Sequence, residues 1–273
     1  MCKVRCKLSN VKRSRPPLHL KRSPLVMVLA QVRFSAVMAL EKFVPDIQEQ
    51  LRHKGFPRFV RSQMHEFLLQ PEGPPKFNTT DRFEFQDRGG NLGIVLTPTS
   101  LAVQTNKYDR FEHFQEVLAA AMLAVNRVLN ITLAERVGIR YVDLVRVGEN
   151  EKLSEYLASG LMGIEPTSVG VTSWISRYES IGETELGKLV VRCSQTDQIL
   201  PLDLFPTTLS YGITLKPSEK ATLLDFDHFV ERTTDFDTRG IGALISELHD
   251  ALDLAFRASV TPAALVRWGS EEE

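Results

Sequence analysis

Apolar side chains recur along this chain in two kinds of period, one typical of strands and one typical of helices. Residues 25–34 alternate, which predicts a first β-strand with one apolar side. Residues 110–129 repeat apolar residues every three or four positions and form the clearest predicted helix. Asp109 and Glu112 form a capping box at its start, and Asn130 is a typical end.

The same analysis divides the chain into two halves of mixed helices and strands. Residues 24–150 read as β-α-β-β-β-β-α-β. Residues 151–273 begin with a short helix at 153–161 and continue with four strands, at 171–181, 186–194, 208–216 and 221–230; a helix at 240–258 and a brief one at 262–268 follow. The fold class is therefore α+β, with two antiparallel sheet-plus-helix layers, and the similar halves suggest a diverged β-α-β-β-β-α-β duplication.

Charge separates the first 23 residues from the rest. The chain has 33 basic and 34 acidic residues, and eight of the basic ones lie in residues 1–23, where there is no acid. The remaining residues thus carry 25 basic against 34 acidic side chains, a formal charge of −9. We expect residues 1–23 to be a disordered basic arm, and the acidic remainder to oppose nucleic acid unless charge is locally segregated.

Cysteine content and hydropathy indicate a cytoplasmic protein. The three cysteines, Cys2, Cys6 and Cys193, do not make a disulfide framework in a chain of 273 residues. The longest apolar run, at 117–125, is far shorter than a membrane span. We therefore expect a protein of the reducing cytoplasm without membrane contact.

One predicted strand, at 132–147, brings two arginines to the same side. Arg136 and Arg140 flank Gly138, whose missing side chain would let an anion or another backbone approach. Two guanidinium groups at this spacing could bind phosphate or nucleic acid. The alternative is cross-strand pairing with acids of the same sheet, which is the more frequent role of such residues.

Two acids in a later strand are the candidate metal ligands. Asp225 and Asp227 share one side of their strand and could offer oxygen ligands to a divalent ion. No His or Cys pair has zinc-ligand spacing, and His249 beside Asp250 is expected to make local hydrogen bonds on a helix. We expect no cofactor and no catalytic residue.

Two segments carry a resemblance to a known family. Residues 24–34 read PLVMVLAQVRF and residues 135–143 read ERVGIRYVD, and they resemble the PLVEVLAQVRF-like and ERVGLRYVD-like motifs of a sporadically distributed family of uncharacterised prokaryotic proteins. Met27 stands where relatives usually have the acid. The resemblance covers about residues 24–268 and implies a prokaryotic origin, with mobile or genome-defence systems suggested by the sporadic distribution.

Three functions follow as hypotheses. The leading one is a non-catalytic binding or assembly protein that engages a protein partner or a second copy of itself. The second is a nucleic-acid-associated subunit that uses the basic arm with Arg136 and Arg140. The third is a metal-dependent hydrolase centred on Asp225 and Asp227.

Overall fold

The computed structural model describes residues 18–68, 76–148, 150–164, 169–170, 175–205, 207–215 and 221–270. Within these ranges the strands form one nine-stranded, wholly antiparallel sheet in the order β2-β3-β4-β5-β1-β6-β9-β8-β7. The strands are β1 (Leu25–Phe34), β2 (Arg58–Leu68), β3 (Lys76–Gln86), β4 (Leu92–Thr97), β5 (Ser100–Thr105), β6 (Leu133–Arg146), β7 (Arg177–Glu183), β8 (Lys188–Thr196) and β9 (Ala221–Asp235). The predicted α+β class with an antiparallel sheet is confirmed.

Four helices accompany the sheet in the described residues. They are α1 (Leu40–His53), α2 (Phe111–Leu129), α3 (Thr238–Ser259) and α4 (Pro262–Arg267). The buried positions of α1 and α3 recur every three or four residues, as the apolar stripe of a surface helix requires. None of the described helices is long and apolar enough to cross a membrane.

Residues 24–34 and residues 135–143 lie side by side at the centre of the sheet. The first forms most of β1 and the second lies within β6, and these strands pair antiparallel, with Ala30 opposite Ile139. β6 then pairs along its length with β9, so the two predicted halves meet in one sheet instead of forming separate layers.

The face of the sheet that carries Ala30 and Ile139, here called the helix face, is covered by α1, α2 and α3. Phe85 and Phe226 extend its apolar core towards opposite ends of the sheet. From α2, Phe114 enters this core and is 3% exposed. The opposite face, here called the second face, has a smaller apolar cluster around Val142 that packs under residues 199–204 and 211–215.

Several predicted elements differ from the structure. Residues 208–215 belong to an irregular segment across the second face instead of a strand, and 153–161 contains two short 3₁₀ turns instead of an α-helix. Asp109 does not cap α2; its carboxylate accepts from the N–H of Arg110, which is the N-cap residue. Asn130 does end α2, in the left-handed conformation at φ 50°.

The expected arm is shorter than 23 residues. Residues 1–17 lie outside the described ranges, but Leu20 pairs with Ser270, and the N–H of Arg22 donates to the carbonyl of Trp268 at 2.9 Å. The segment from residue 18 onward is therefore part of the folded body, attached beside α4.

Candidate functional site

A network of charged side chains crosses the second face over the middle strands. Alternation and register place Arg136 and Arg140 of β6 on this face with Asp225 and Asp227 of β9 and Arg192 of β8. The four residues singled out from the sequence are thus brought together. Arg192 also belongs to this network, but the sequence analysis did not single it out, although its place in an alternating strand could have indicated it.

Arg140 is held by two carboxylates. Its Nε and Nη2 donate to Asp225 at 2.7 Å each, in a two-pronged contact, and its Nη1 donates to Asp203 at 2.6 Å. Burial opposes the charge of Arg140, but these hydrogen bonds outweigh it and raise the pKa of the guanidinium. Burial also opposes the charge of Asp203, yet the bond from Arg140 holds its pKa below the usual range. Asp203 lies among residues 199–204, which pack on the second face, so this pair fastens those residues to the sheet.

Arg136 is paired more weakly. Its Nη2 donates to Asp227 at 3.3 Å, and its guanidinium carbon lies 4.1 Å from the ring centre of Phe229. Burial lowers the pKa of Arg136 in spite of Asp227, and burial raises the pKa of Asp227 in spite of Arg136. In the pair of Arg136 and Asp227, the cost of removing the charges from water therefore exceeds their mutual attraction. At Arg140, the attraction to its carboxylate partners exceeds that cost.

The gap at Gly138 is not open to an anion. A Cβ built on Gly138 would lie 2.8 Å from the Cβ of Phe229 and 3.3 Å from Nη1 of Arg136. The space that the glycine leaves is taken by its own neighbours. The cross-strand pairing that the sequence offered as the alternative is the arrangement found, and the expectation of an anion site at Arg136 and Arg140 is corrected accordingly.

The two candidate metal ligands face arginines instead of a shared centre. Asp225 accepts from Arg140 and also from Arg192 at 3.3 Å, and Asp227 accepts from Arg136. In the described part of the chain, no group of three or more His, Cys, Asp or Glu side chains could hold a metal ion. Both acids balance the charge of partly buried arginines.

His249 lies in a separate, partly buried cluster on the helix face. Its Nδ1 is 2.9 Å from the hydroxyl of Tyr141, and its ring stacks on Phe111 with 4.1 Å between ring centres. Burial raises the pKa of Tyr141, and it raises the pKa of the neighbouring Tyr108 to about 12. This hydrogen bond is long-range, to a strand residue 108 positions away along the chain, and is not the local bond that the sequence analysis expected for His249.

An open cavity lies at one end of the second face. It has a volume of about 260 Å³ and is bounded by the start of β1 and by residues 210–213, with Asn106 and Lys107 in its wall. The amide nitrogen of Asn106 donates to the carbonyl of Ser210 at 2.8 Å, which ties the crossing segment to the end of β5. The cavity borders β1, which pairs with β6, but none of the charged residues of the network lines it.

The charged network ends at an exposed strand. Glu179 of β7 accepts from Arg192, and β7 is the last strand of the sheet. Every residue of β7 is exposed, including Tyr178 at 40% and Ile181 at 62%. An edge strand with free backbone groups and large apolar side chains is a template for pairing with another strand. Its edge position was not foreseen from the sequence.

A comparison with protein-family models and with curated proteins found no match for this chain. The candidate site is therefore defined by geometry alone: a sheet whose centre is fixed by paired charges and whose last strand offers an open edge.

Proposed function

We propose that this protein is a non-catalytic binding and assembly protein that engages a protein partner by strand addition at β7. The observation that carries the proposal is the exposure of β7 along its whole length at the end of a nine-stranded sheet. Strand addition draws its affinity from backbone hydrogen bonds and its specificity from the side chains that alternate along the strand.

The two edges of the sheet differ in a way that supports this assignment. At β2, Arg61 contacts Glu41 at 2.6 Å and Asp81 at 3.3 Å, so charges held in place lie along that edge. Charged side chains are a common protection of edge strands against pairing. At β7, charged residues are also present, but Tyr178 and Ile181 add exposed apolar surface beside them.

The charged residues at the sheet centre fit a supporting role. Arg140 and Asp225 satisfy each other, and Arg192 continues their network to Glu179 on β7. This chain of contacts fixes the position of the outer strands, which favours a preformed docking edge. We also propose that the protein belongs to the sporadic prokaryotic family that it resembles, whose members have no known activity to assign.

The test replaces Ile181 by proline and, as the matched control, by valine. Proline removes an N–H that does not bond β8, so the sheet should remain intact while strand addition is blocked. Native mass spectrometry of protein purified from its own cells should show a stoichiometric protein component with wild type and Ile181→Val, and none with Ile181→Pro. Equal melting temperatures of the three variants would show that folding is retained.

Two outcomes would contradict the proposal. The same assembly with all three variants would place the interface elsewhere. Nucleic acid as the sole stoichiometric component of the purified wild type would favour the nucleic-acid hypothesis instead.

A further inference from the structure

The backbone of β7 has a defined set of outward-facing groups. At the two ends of the β7–β8 hairpin, the N–H of Gln195 donates to the carbonyl of Ser176 at 3.3 Å, and the N–H of Thr184 donates to the carbonyl of Gly187 at 2.7 Å. The register between these ends is unbroken. Because hydrogen-bonded positions alternate in an antiparallel pair, the even-numbered residues of β7 bond β8, and the odd-numbered ones direct their N–H and C=O groups outward.

This parity permits an antiparallel pairing of β7 with itself. If a two-fold axis passes beside Ser180, Arg177 lies opposite Glu183 of a second copy, and Glu179 lies opposite its Ile181. All four are odd-numbered, so their outward N–H and C=O groups meet as hydrogen-bonded pairs. Ser180 and its symmetry copy then form a pair without backbone bonds. The pairing uses every residue from 177 to 183.

The charges of β7 are complementary to themselves in this register. Arg177 at one end of the strand faces Glu183 of the second copy, and the symmetry repeats the contact at the other end. Within the ranges that the structure describes, neither Arg177 nor Glu183 has an ion-pair partner. Opposite charges directly across two strands are favourable, and like charges there are unfavourable.

The apolar side chains are also matched on both faces. Ile181 of each copy lies diagonally across the axis from the other, within reach of a long side chain. On the opposite face Tyr178 lies across from Gly182 of the second copy, and a Cβ built on Gly182 would have only the carbonyl of Leu189 nearby, at 4.0 Å. The open surface of that glycine is available for the tyrosine ring, an arrangement known to strengthen edge pairing.

We propose that the partner strand at β7 is β7 of a second copy of this chain, paired antiparallel about Ser180, so that the two sheets join into one. This inference rests on the proposed function, because it names the partner of the same edge. A second copy is favoured over an unrelated strand because one seven-residue segment supplies both members of each charge pair and of each apolar pair.

The decisive experiment exchanges the charges at the two ends of β7. Arg177→Glu alone and Glu183→Arg alone each put like charges opposite one another, so each variant should be monomeric by light scattering at concentrations where the wild type has twice the monomer mass. A mixture of the two variants should form a heterodimer, since the strand with two acidic ends then faces the strand with two basic ends. The double variant should dimerise by itself. These residues are exposed, so folding should be unaffected.

A cross-link tests the register directly. Ser180→Cys places two thiols at a pair without backbone bonds, where the Cα atoms are about 4.5 Å apart and within the range of a disulfide. It should form a covalent dimer under mild oxidation, whereas Glu179→Cys, displaced from the axis, should do so much less.

A wild type that stays monomeric, dimers that ignore the charge exchange, or equal cross-linking at both positions would each overturn the second-copy inference. The proposed function would survive such a result if the native assembly contained a different protein and was still lost with Ile181→Pro. If that assembly were insensitive to Ile181→Pro, both would fail.

Discussion

The two faces of the sheet both remove side chains from water, but they bury different kinds of side chain. The helix face does so with apolar residues from four helices and most of the strands, gathered in one continuous core. On the second face the apolar cluster around Val142 is smaller, and the middle strands instead bury paired charges such as Arg140 and Asp225. Apolar contacts are non-directional, whereas buried charges require a particular partner. The helix face therefore supplies stability, and the second face fixes which residue lies beside which.

The largest loss of stability is expected from a substitution in the core of the helix face. Phe114→Ala should lower the free energy of unfolding by about 3–5 kcal/mol, because the ring is almost wholly buried and leaves a cavity. The matched control on the same helix is Leu123→Ala, which is 47% exposed and should change stability by less than about 1 kcal/mol. Urea unfolding followed by circular dichroism measures both. Equal midpoints for the two variants would refute the assignment of the core to this face.

Sequence patterns were sufficient for the elements that have a strict period. The alternation of β6 and the stripe of α2 assign each residue to one side of its element, so the faces of Arg136 and Arg140 and the packing of Phe114 could be inferred. The irregular conformation of residues 207–215 could not be inferred, because Leu209 and Ile213 alternate as they would in a strand. Instead of pairing as a strand, this segment lies above the sheet, where Ser210 bonds Gly90 and Thr208 bonds Gln86 and Glu84.

The sequence identified most residues of the candidate site, but it did not indicate which of them pair with each other. Spacing placed Arg140 on one face of its strand, and nothing local to it indicated Asp225 or Asp203, which lie far along the chain. The identity of the edge strand also depends on the order of strands in the sheet. That order is set by long-range pairing, which no local period records.

The next largest expected effect is a pH dependence of stability, which arises from a buried acid on the helix face. Asp143 lies between Leu25 and Leu224 in register and is 4% exposed, and burial, assisted by the charge of Asp225, raises its pKa to about 8. The ordinary pKa of an unfolded aspartate is about 4. The folded state thus binds the proton more tightly, so stability is full below about pH 4 and is lost as the pH rises to about 8.

Replacing Asp143 by asparagine should remove this dependence. Relative to Asp143→Asn, the wild type should lose about 2–3 kcal/mol of stability between about pH 5 and about pH 7, since each unit of pKa difference corresponds to about 1.4 kcal/mol. Asp197→Asn, at an exposed position, serves as the control and should follow the wild type at every pH. Parallel stability curves for wild type and Asp143→Asn would show that the carboxyl is ionised in the folded protein.

The smallest effects compare the two ion pairs of the second face. Arg140→Met should cost about 2 kcal/mol, less than a wholly orphaned buried charge, because Asp225 keeps Arg192 at 3.3 Å. Arg136→Met should cost about 1 kcal/mol or less, since burial already outweighs attraction in its pair with Asp227.

A double-mutant cycle on the stronger pair separates attraction from the cost of leaving one charge alone. Arg140→Met with Asp225→Leu should be more stable than the sum of the single effects predicts, by about 1 kcal/mol or more, because an apolar pair needs no partner. The same cycle on Arg136 and Asp227 should give a smaller coupling. If the two cycles gave equal couplings, the difference in hydrogen-bond geometry between the pairs would carry no energy. If both couplings were near zero, the second face would be held by apolar packing like the helix face, and the contrast between the two faces would be lost.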